Sequence, residues 1–293
     1  MVVCVAENIN IMSKTIGAAI KERQAKPVQD MVRELTRAGA DYLDLNIGPA
    51  RKGGDETMDW LVKTVREVTD LPLSLDTSNP AAIEAGLKAN SGVSLINSIS
   101  LQPERLEALL PMAVKYNADM IGLLWSQEGM PRDANERAAH CVDIVYRANE
   151  AGILTEKIWI DPIATPISMD INQVLAGLEF MAMLSEIAPG GKSIVGLSNI
   201  SNGTPHDLRN YINRCYLIML MKYGIYSAIV DGYDEELLTI AKGGMVEIVN
   251  LVHSMMDGNE PDSKDLSPKE LEYYKTARVL LGKTLYSHSW LTV

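Results

Sequence analysis

The sequence predicts an α/β protein that folds as a single (β/α)8 TIM barrel. Short apolar runs bounded by turn residues alternate with longer segments of helical periodicity, and this pair of patterns occurs eight times in 293 residues. Eight such units at this length favour a closed barrel over an open doubly wound sheet. An open nucleotide-binding sheet usually has a glycine-rich phosphate loop after its first strand, and the sequence contains no G-x-G-x-x-G motif.

The predicted elements follow one another in a regular order. The strands are residues 2–7, 42–46, 71–76, 93–98, 119–125, 157–163, 193–199 and 228–231. The helices run through residues 27–38, 58–65, 106–113, 135–151, 174–187 and 208–223, and two more begin at Asn79-Pro80 and at about Glu235. In the first helix Val28, Val32 and Leu35 share one face. Asn79 suits an N-cap and Pro80 suits the first turn of the helix that follows.

One domain accounts for almost the whole chain. Residues 1–257 form the predicted barrel, and residues 258–293 form a polar linker and a C-terminal extra helix at 268–285. We expect this last helix to pack on the barrel, where it either caps one end or joins a subunit contact.

Composition and charge disfavour several kinds of partner. A formal net charge of −11 and a pI near 4.9 argue against nucleic acid, whose phosphate backbone would repel the protein. The amino terminus lacks the basic segment of a signal peptide, and no stretch approaches the roughly 20 apolar residues that span a membrane. Cys4, Cys141 and Cys215 lie far apart, and no cysteine or histidine cluster has zinc-ligand spacing. We expect a cytoplasmic protein with no metal ion of its own.

Five predicted strands end on an aspartate or an asparagine. These ends are Leu43-Asp44-Leu45-Asn46, Leu73-Ser74-Leu75-Asp76, Leu95-Ile96-Asn97, Trp159-Ile160-Asp161 and Val195-Gly196-Leu197-Ser198-Asn199. The carboxyl ends of barrel strands surround one mouth, where the active sites of such barrels lie. No Lys, Arg or His stands at these five ends. A ring of carboxylates and amides suits a neutral heterocycle with several N–H groups.

Each ring residue also has a purely structural alternative. Asp76 and Asn97 could organise the loops after their strands, and Asn199 could form a turn, because Asn tolerates left-handed geometry. Asp161 favours a functional role, since no cation near it in the sequence compensates a buried carboxylate. The convergence of five ends of one chemical character favours a binding site.

The ordered set of motifs resembles a known family. The segments that carry the resemblance are Leu43-Asp44-Leu45-Asn46-Ile47-Gly48-Pro49-Ala50, Leu75-Asp76-Thr77-Ser78-Asn79, Ile96-Asn97-Ser98, Ile160-Asp161-Pro162 and Gly196-Leu197-Ser198-Asn199-Ile200-Ser201. They are similar to the pterin-binding methyltetrahydrofolate:corrinoid protein methyltransferases, with relatives in the acetyl-CoA pathway and in anaerobic O-demethylase systems. The resemblance extends from residue 7 to about residue 234, in the same order.

The resemblance implies a role for each ring residue. Asp76, Asn97 and Asp161 match the residues that grip the hydrogen-bonding edge of the pterin, and both aspartates should be ionised when the site is occupied. Asn199 matches the catalytic residue beside N5 of the folate. The supporting residues implied are Glu7, Asp44, Asn46, Gly196 and Ser198, with Asn202 as a weaker candidate.

The resemblance also implies a reaction and a partner. The substrate is tetrahydrofolate or 5-methyltetrahydrofolate, and a methyl group moves by direct displacement between its N5 and the cobalt of a corrinoid. No histidine has the Asp-x-His-x-x-Gly context of a corrinoid domain, so we expect the corrinoid on a separate protein that binds transiently. We expect the proton at N5 to arrive through water and a hydrogen-bond network, with Asn199 positioning it. The family is usually homodimeric, and the helix at 211–223 could form that contact or be an ordinary outer helix.

Two segments depart from the family pattern. The opening reads Glu7-Asn8-Ile9-Asn10 where relatives have Glu-Arg-Ile-Asn, so a cation near the first strand end is missing. The loop after Asn199 reads Asn202-Gly203-Thr204-Pro205 where relatives often have Gln-Asn.

Three questions stay open at this stage. The direction of transfer is undecided, with a slight preference for methylcorrinoid to tetrahydrofolate because of the two departures. Dihydropteroate synthase is an alternative, although its early Asn-x-Thr-x-Asp-Ser-Phe loop and its basic residues near the last strands have no counterpart here. A non-catalytic folate-binding subunit is a second alternative.

Overall fold

A computed structural model describes residues 1–292 and contains eight parallel β-strands in one sheet. They are β1 (Val3–Asn10), β2 (Tyr42–Gly48), β3 (Leu73–Thr77), β4 (Ser94–Ser100), β5 (Asp119–Leu123), β6 (Ile158–Asp161), β7 (Lys192–Ser193) and β8 (Ser227–Val230). The order is β7-β6-β5-β4-β3-β2-β1-β8. Ile229 N donates to Val195 O at 2.8 Å, so β8 meets the chain just beyond β7 and the barrel nearly closes. The TIM barrel predicted from the sequence is confirmed.

Helices separate the strands and surround them. They are α1 (Gly17–Lys21), α2 (Ala25–Ala38), α3 (Gly54–Arg66), α4 (Pro80–Ala89), α5 (Pro103–Lys115), α6 (Ala134–Glu150), α7 (Ile171–Ile187), α8 (His206–Lys222), α9 (Glu235–Ala241), α10 (Val246–Met256) and α11 (Pro268–Leu280). The Asn79 side chain accepts a hydrogen bond from Ala81 N at 3.0 Å and Pro80 begins α4, which confirms the predicted cap. Among residues 1–292, no helix is both long and apolar enough to cross a membrane.

Three predicted elements are wrong in extent. The seventh strand covers only Lys192–Ser193, and Leu197–Ser201 forms a 3-10 helix in which Asn199 N donates to Gly196 O at 3.2 Å. Apolar residues lie on both sides of Gly196, and this apolar run explains why a longer strand was predicted. The helix expected from about Glu235 is two helices, α9 and α10, and the last helix ends at Leu280 instead of residue 285.

The barrel interior explains why the ring side chains point into the mouth. Successive residues of a strand face opposite sides, so positions two apart share a side. Several ring residues lie two positions after a residue of the inner barrel core. These pairs are Val5 and Glu7, Tyr42 and Asp44, Leu95 and Asn97, Trp159 and Asp161, and Ile194 and Gly196. Trp159 is fully buried and packs edge-on against Tyr42 and Tyr226, which fills the barrel beneath the ring.

The C-terminal helices cover one side of the barrel. Helix α8 packs against both α10 and α11, and its residues 215–220 are all buried. Tyr211 and Cys215 of α8 both contact α11 through hydrogen bonds to Glu272 and to Tyr273 O. Little of α8 is therefore exposed for the subunit contact that the sequence suggested there.

Candidate active site

Strands β2, β3 and β4 place three ring residues in one row. The parallel register pairs Asn46 with Asp76, and Asp76 with Asn97. Asn46 Nδ2 donates to Asp76 Oδ2, and Asn97 Nδ2 donates to Asp44 Oδ1 at 3.1 Å. Ser74, directly across from Asp44 in the register, donates its hydroxyl to the same oxygen at 2.5 Å. These side chains form a connected polar cluster at the mouth.

Asp44 and Asp76 form a close carboxyl pair within this cluster. Burial raises the pKa of Asp44 to about 6, while hydrogen bonds from Ser74, Asn97 and Asp76 oppose the rise. Burial raises the pKa of Asp76 well above its ordinary value, and the charge of Asp44 adds to the rise. Because more donors converge on Asp44, Asp44 ionises more readily than Asp76 in the ligand-free protein.

Asp161 ends β6 and lies on the other side of the mouth. Its Oδ1 accepts from Ile163 N at 2.8 Å, and the backbone N–H of Gly196 also donates to it. Burial nevertheless raises the pKa of Asp161 to about 6. Ile163 has a left-handed φ of 66°, a conformation that a β-branched residue adopts only under constraint. The turn that carries Asp161 is therefore strained and held in place by its surroundings.

Glu7 and Ser198 are joined across the barrel. The Ser198 hydroxyl donates to Glu7 Oε1, which links β1 to the 3-10 helix after β7. Burial is the largest influence on Glu7 and raises its pKa to about 7, with Asp44 and Asp231 adding to the rise. Glu7 can therefore hold or release a proton near neutral pH. Its hydrogen-bond partner, Ser198, directly precedes Asn199 in the chain.

Asn199 stands at the mouth, but on a helical turn instead of a strand end. Asn199 is exposed, and its Oδ1 accepts a hydrogen bond from Asn202 Nδ2 at 3.4 Å. The side chain lies over Gly196, since a Cβ added at Gly196 would come within 3.0 Å of Asn199 Nδ2. Gly196 thus leaves room for the Asn199 amide. The ring forms as three hydrogen-bonded groups: the β2–β4 cluster, Asp161 with Gly196, and the Glu7, Ser198, Asn199 and Asn202 region.

The strand ends alone suggested a ring without cations, but three arginines from the surrounding helices influence it. Arg105 of α5, Arg137 of α6 and Arg209 of α8 lie behind it and act electrostatically on Asp76, Asp161 and Glu7, respectively. The hydrogen bonds of these arginines go to oxygens of the loops: Arg105 to Ser78 O and Ser98 O, Arg137 to Pro162 O, and Arg209 to Ser198 O. No cation stands near Asp161 in the sequence, but the fold brings the charge of Arg137 close enough to act on it.

Sequence reasoning missed these arginines, although a signal was present. Each lies in the first turn of its helix, where the helix dipole disfavours positive charge. The first turns of barrel helices lie at the same end as the strand carboxyl ends. A cation at that position is thus a reason to expect a nearby acidic site.

Asn8 occupies the position where the resemblance implies arginine. Its Nδ2 donates to Asp231 Oδ1 at 2.7 Å, and its Oδ1 accepts from Gly232 N at 2.8 Å. The amide therefore joins β1 to the loop after β8. The cation that acts on Glu7 comes instead from α8, through Arg209.

A polar cavity of about 620 Å³ opens beside Glu7 and Ser198. Its lining continues over the first strand end and α8 through Asn8, Asn10, His206, Arg209, Asn213 and Asp231. Asp76, Asn97 and Asp161 are not among the residues that line this cavity. In residues 1–292, no group of three or more His, Cys, Asp or Glu side chains could hold a metal ion.

Comparison with known proteins agrees with this geometry. Residues 9–231 match the family described as pterin binding enzyme, which is more than half of the chain. The chain belongs to this family. The match begins inside β1, after Glu7, and ends just after β8, so it covers most of the barrel and every ring residue except Glu7.

Individual relatives fall into two groups. Methylcorrinoid:tetrahydrofolate methyltransferase of Eubacterium limosum is 24% identical over 80% of this chain and 87% of its own length. Methionine synthase of Mycobacterium tuberculosis is 27% identical over 74% of this chain, which spans only 19% of that relative. Among solved structures, dihydropteroate synthases of Thermus thermophilus and Xanthomonas albilineans superpose with TM-scores of 0.59 and 0.60. At 21% and 17% identity over 83% and 87% of this chain, and 94% and 93% of theirs, they support the fold alone.

Proposed function

We propose that this enzyme is a methyltransferase that moves a methyl group between N5 of tetrahydrofolate and the cobalt of a corrinoid on a separate protein. The observation that carries the proposal is the arrangement of Asp76, Asn97 and Asp161 around one mouth that Asn199 overhangs. The relative named methylcorrinoid:tetrahydrofolate methyltransferase, which this chain matches over 87% of its length, supports the same reaction class.

The three gripping residues fit one edge of a pterin. That edge presents an exocyclic amino group and a ring N–H as donors beside a carbonyl acceptor, which carboxylates and an amide can satisfy. Asp161 and Asp76 have raised pKa values in the ligand-free protein because they are buried. The donors of a bound pterin favour the ionised forms, so binding releases protons at neutral pH.

The chemistry at N5 needs both a hydrogen-bond partner and a proton. When the methyl group leaves N5, the N5–C bond breaks, the electron pair of cobalt(I) forms the new Co–C bond, and N5 takes up a proton. Asn199 can donate to N5 in one state and accept from it in the other. Glu7, with its pKa of about 7 and its bond to Ser198, is our proposed reservoir for that proton. The reverse transfer returns the proton to Glu7.

Exposed apolar side chains around the mouth suit a docking protein. Met12, Trp125, Met169 and Tyr233 lie in loops that follow four different strands, and each is at least 39% exposed. We propose that the corrinoid protein docks on these loops for each turnover. A homodimer, a cytoplasmic location and a slight preference for the methylcorrinoid-to-tetrahydrofolate direction remain parts of the proposal.

The direct test is methyl transfer with free cob(I)alamin and 5-methyltetrahydrofolate, followed by ultraviolet absorbance. The wild-type enzyme should turn over. In a single-turnover experiment, Asn199→Ala should be slower by about 100-fold with normal folate affinity, because one positioned hydrogen bond at the reacting atom is lost. Asn259→Ala, an exposed residue after α10, is the matched control and should react at the wild-type rate. An unchanged rate in Asn199→Ala would remove Asn199 from the mechanism.

The same assay tests both alternatives against the proposal, because neither would demethylate 5-methyltetrahydrofolate. A non-catalytic folate-binding subunit would bind 5-methyltetrahydrofolate and show no turnover. A dihydropteroate synthase-like enzyme, whose fold the solved structures share, would also leave 5-methyltetrahydrofolate methylated and would instead condense a pterin diphosphate with an aminobenzoate.

A further inference from the structure

Arg137 is a charged side chain with no exposed surface. Its Nε donates to Pro162 O at 2.9 Å, one Nη donates to Gln173 Oε1 at 2.9 Å, and the other donates to Asp133 O at 3.2 Å. All three acceptors are neutral oxygens. A buried cation whose direct partners carry no charge is unfavourable for folding, so its presence points to a benefit elsewhere.

The benefit lies in the turn after β6. Pro162 directly follows Asp161, and Ile163 then adopts its left-handed φ of 66°. Two hydrogen bonds hold this strained turn: Arg137 binds Pro162 O from outside, and Ile163 N binds Asp161 from inside. The guanidinium therefore fixes the direction of Asp161 while leaving its oxygens free of a salt bridge.

We propose that Arg137 is the positioning residue for Asp161, holding the turn after β6 and supplying the positive charge that keeps Asp161 a hydrogen-bond acceptor for the pterin. This inference rests on the proposed function, because the pterin is the ligand that Asp161 would accept from. A carboxylate paired directly with an arginine would lose lone pairs that the ligand needs.

The electrostatic surroundings support this division of roles. Arg137 is the charged group acting on Asp161 from α6, and Tyr216 faces both residues from α8. Burial raises the pKa of Tyr216, so the phenol stays neutral over the range of the test. Asp133, at the start of α6, also acts on Arg137. The pKa of Asp161, about 6, is the balance between burial, which raises it, and the backbone donors and Arg137, which lower it.

The test measures tetrahydrofolate binding by anaerobic calorimetry as a function of pH. In the wild-type protein, affinity should fall as pH drops, and protonation of Asp161 should contribute the step near pH 6. Arg137→Gln keeps donors for Pro162 O but removes the charge, and it should raise the midpoint of this profile by about one pH unit. Arg137→Lys retains the charge and should keep a midpoint close to that of the wild type.

A second variant avoids removing the buried arginine. Gln173→Glu places a negative charge on the side chain that already contacts Arg137 and should raise the same midpoint. Asn172→Asp, on the exposed neighbouring position of α7, adds the same charge without facing Arg137 and should leave the midpoint unchanged.

The outcomes distinguish this inference from the proposed function. A raised midpoint in Gln173→Glu but not in Asn172→Asp supports the role of Arg137, even if Arg137→Gln does not fold. Wild-type midpoints in both Gln173→Glu and a folded Arg137→Gln would overturn it, because a purely structural arginine does not change the titration of Asp161. A wild-type protein that binds no tetrahydrofolate at any pH would overturn the proposed function itself.

Discussion

Replacing Asp161 with asparagine should make the ligand-free protein more stable at alkaline pH while removing folate binding. Burial raises the pKa of Asp161 from 3.8 to about 6. Because the folded-state pKa lies above the unfolded-state value, the contribution of Asp161 to stability is fully present below about pH 4 and is lost as pH rises through about 6. This sign is opposite to that of an aspartate in a salt bridge.

The size of the effect follows from the shift. Each pKa unit corresponds to about 1.4 kcal/mol, so a shift of about two units costs about 3 kcal/mol once Asp161 is fully ionised. About 1 kcal/mol of this is already lost at about pH 4.5, which leaves about 2 kcal/mol to appear between there and about pH 8. Asparagine does not titrate, but it leaves one of the two backbone donors, Ile163 N or Gly196 N, without a good acceptor. That loss of about 1 kcal/mol is the same at both pH values.

The measurement is urea unfolding of the wild type and Asp161→Asn at about pH 4.5 and about pH 8. The stability of the variant relative to the wild type should rise by about 2 kcal/mol between the two conditions. Contributions from Glu7, Asp44 and Asp76 cancel in this comparison to the extent that they do not sense residue 161. Tetrahydrofolate binding by the variant should be lost at about pH 8, since asparagine offers one acceptor in place of two. A stability difference that does not change with pH would refute the assignment of a buried, ionised Asp161.

Two further variants probe the chemistry beside Asn199. Glu7→Gln should slow single-turnover methyl transfer from 5-methyltetrahydrofolate to cob(I)alamin by about 100-fold, because a proton donor is lost, and should abolish the fall in rate as pH rises through about 7; a retained pH dependence would exclude Glu7 as the reservoir. Gly196→Ala should displace the Asn199 amide and slow the same step by about 100-fold, with an unchanged urea midpoint because its φ of −71° is open to alanine. Wild-type kinetics in this variant would show that the position of the amide does not matter.

The barrel and most of the ring could be predicted because their causes are local in the sequence. Glu7, Asp44, Asn97 and Asp161 each follow an inner-core residue by two positions. Because positions two apart in a strand share a side, these side chains face the mouth independently of the surrounding helices. The Asn79-Pro80 cap of α4 is local in the same sense. The segment around Asn199 could not be predicted in this way. The apolar residues on both sides of Gly196 resembled a strand. In the structure, Asp161 accepts a hydrogen bond from the Gly196 N–H, and the chain then forms a 3-10 helix.

The sequence by itself determined which residues surround the mouth and the class of ligand that they suit, because strand ends of a closed parallel barrel must converge. Only the tertiary structure decided how their charges are balanced. Arg105, Arg137 and Arg209 are distant in the chain from the carboxyl groups that they influence, and Asp44 affects Asp76 only because two strands are in register. Burial and through-space electrostatics act on distances between atoms, and those distances exist only after the strands and helices have packed.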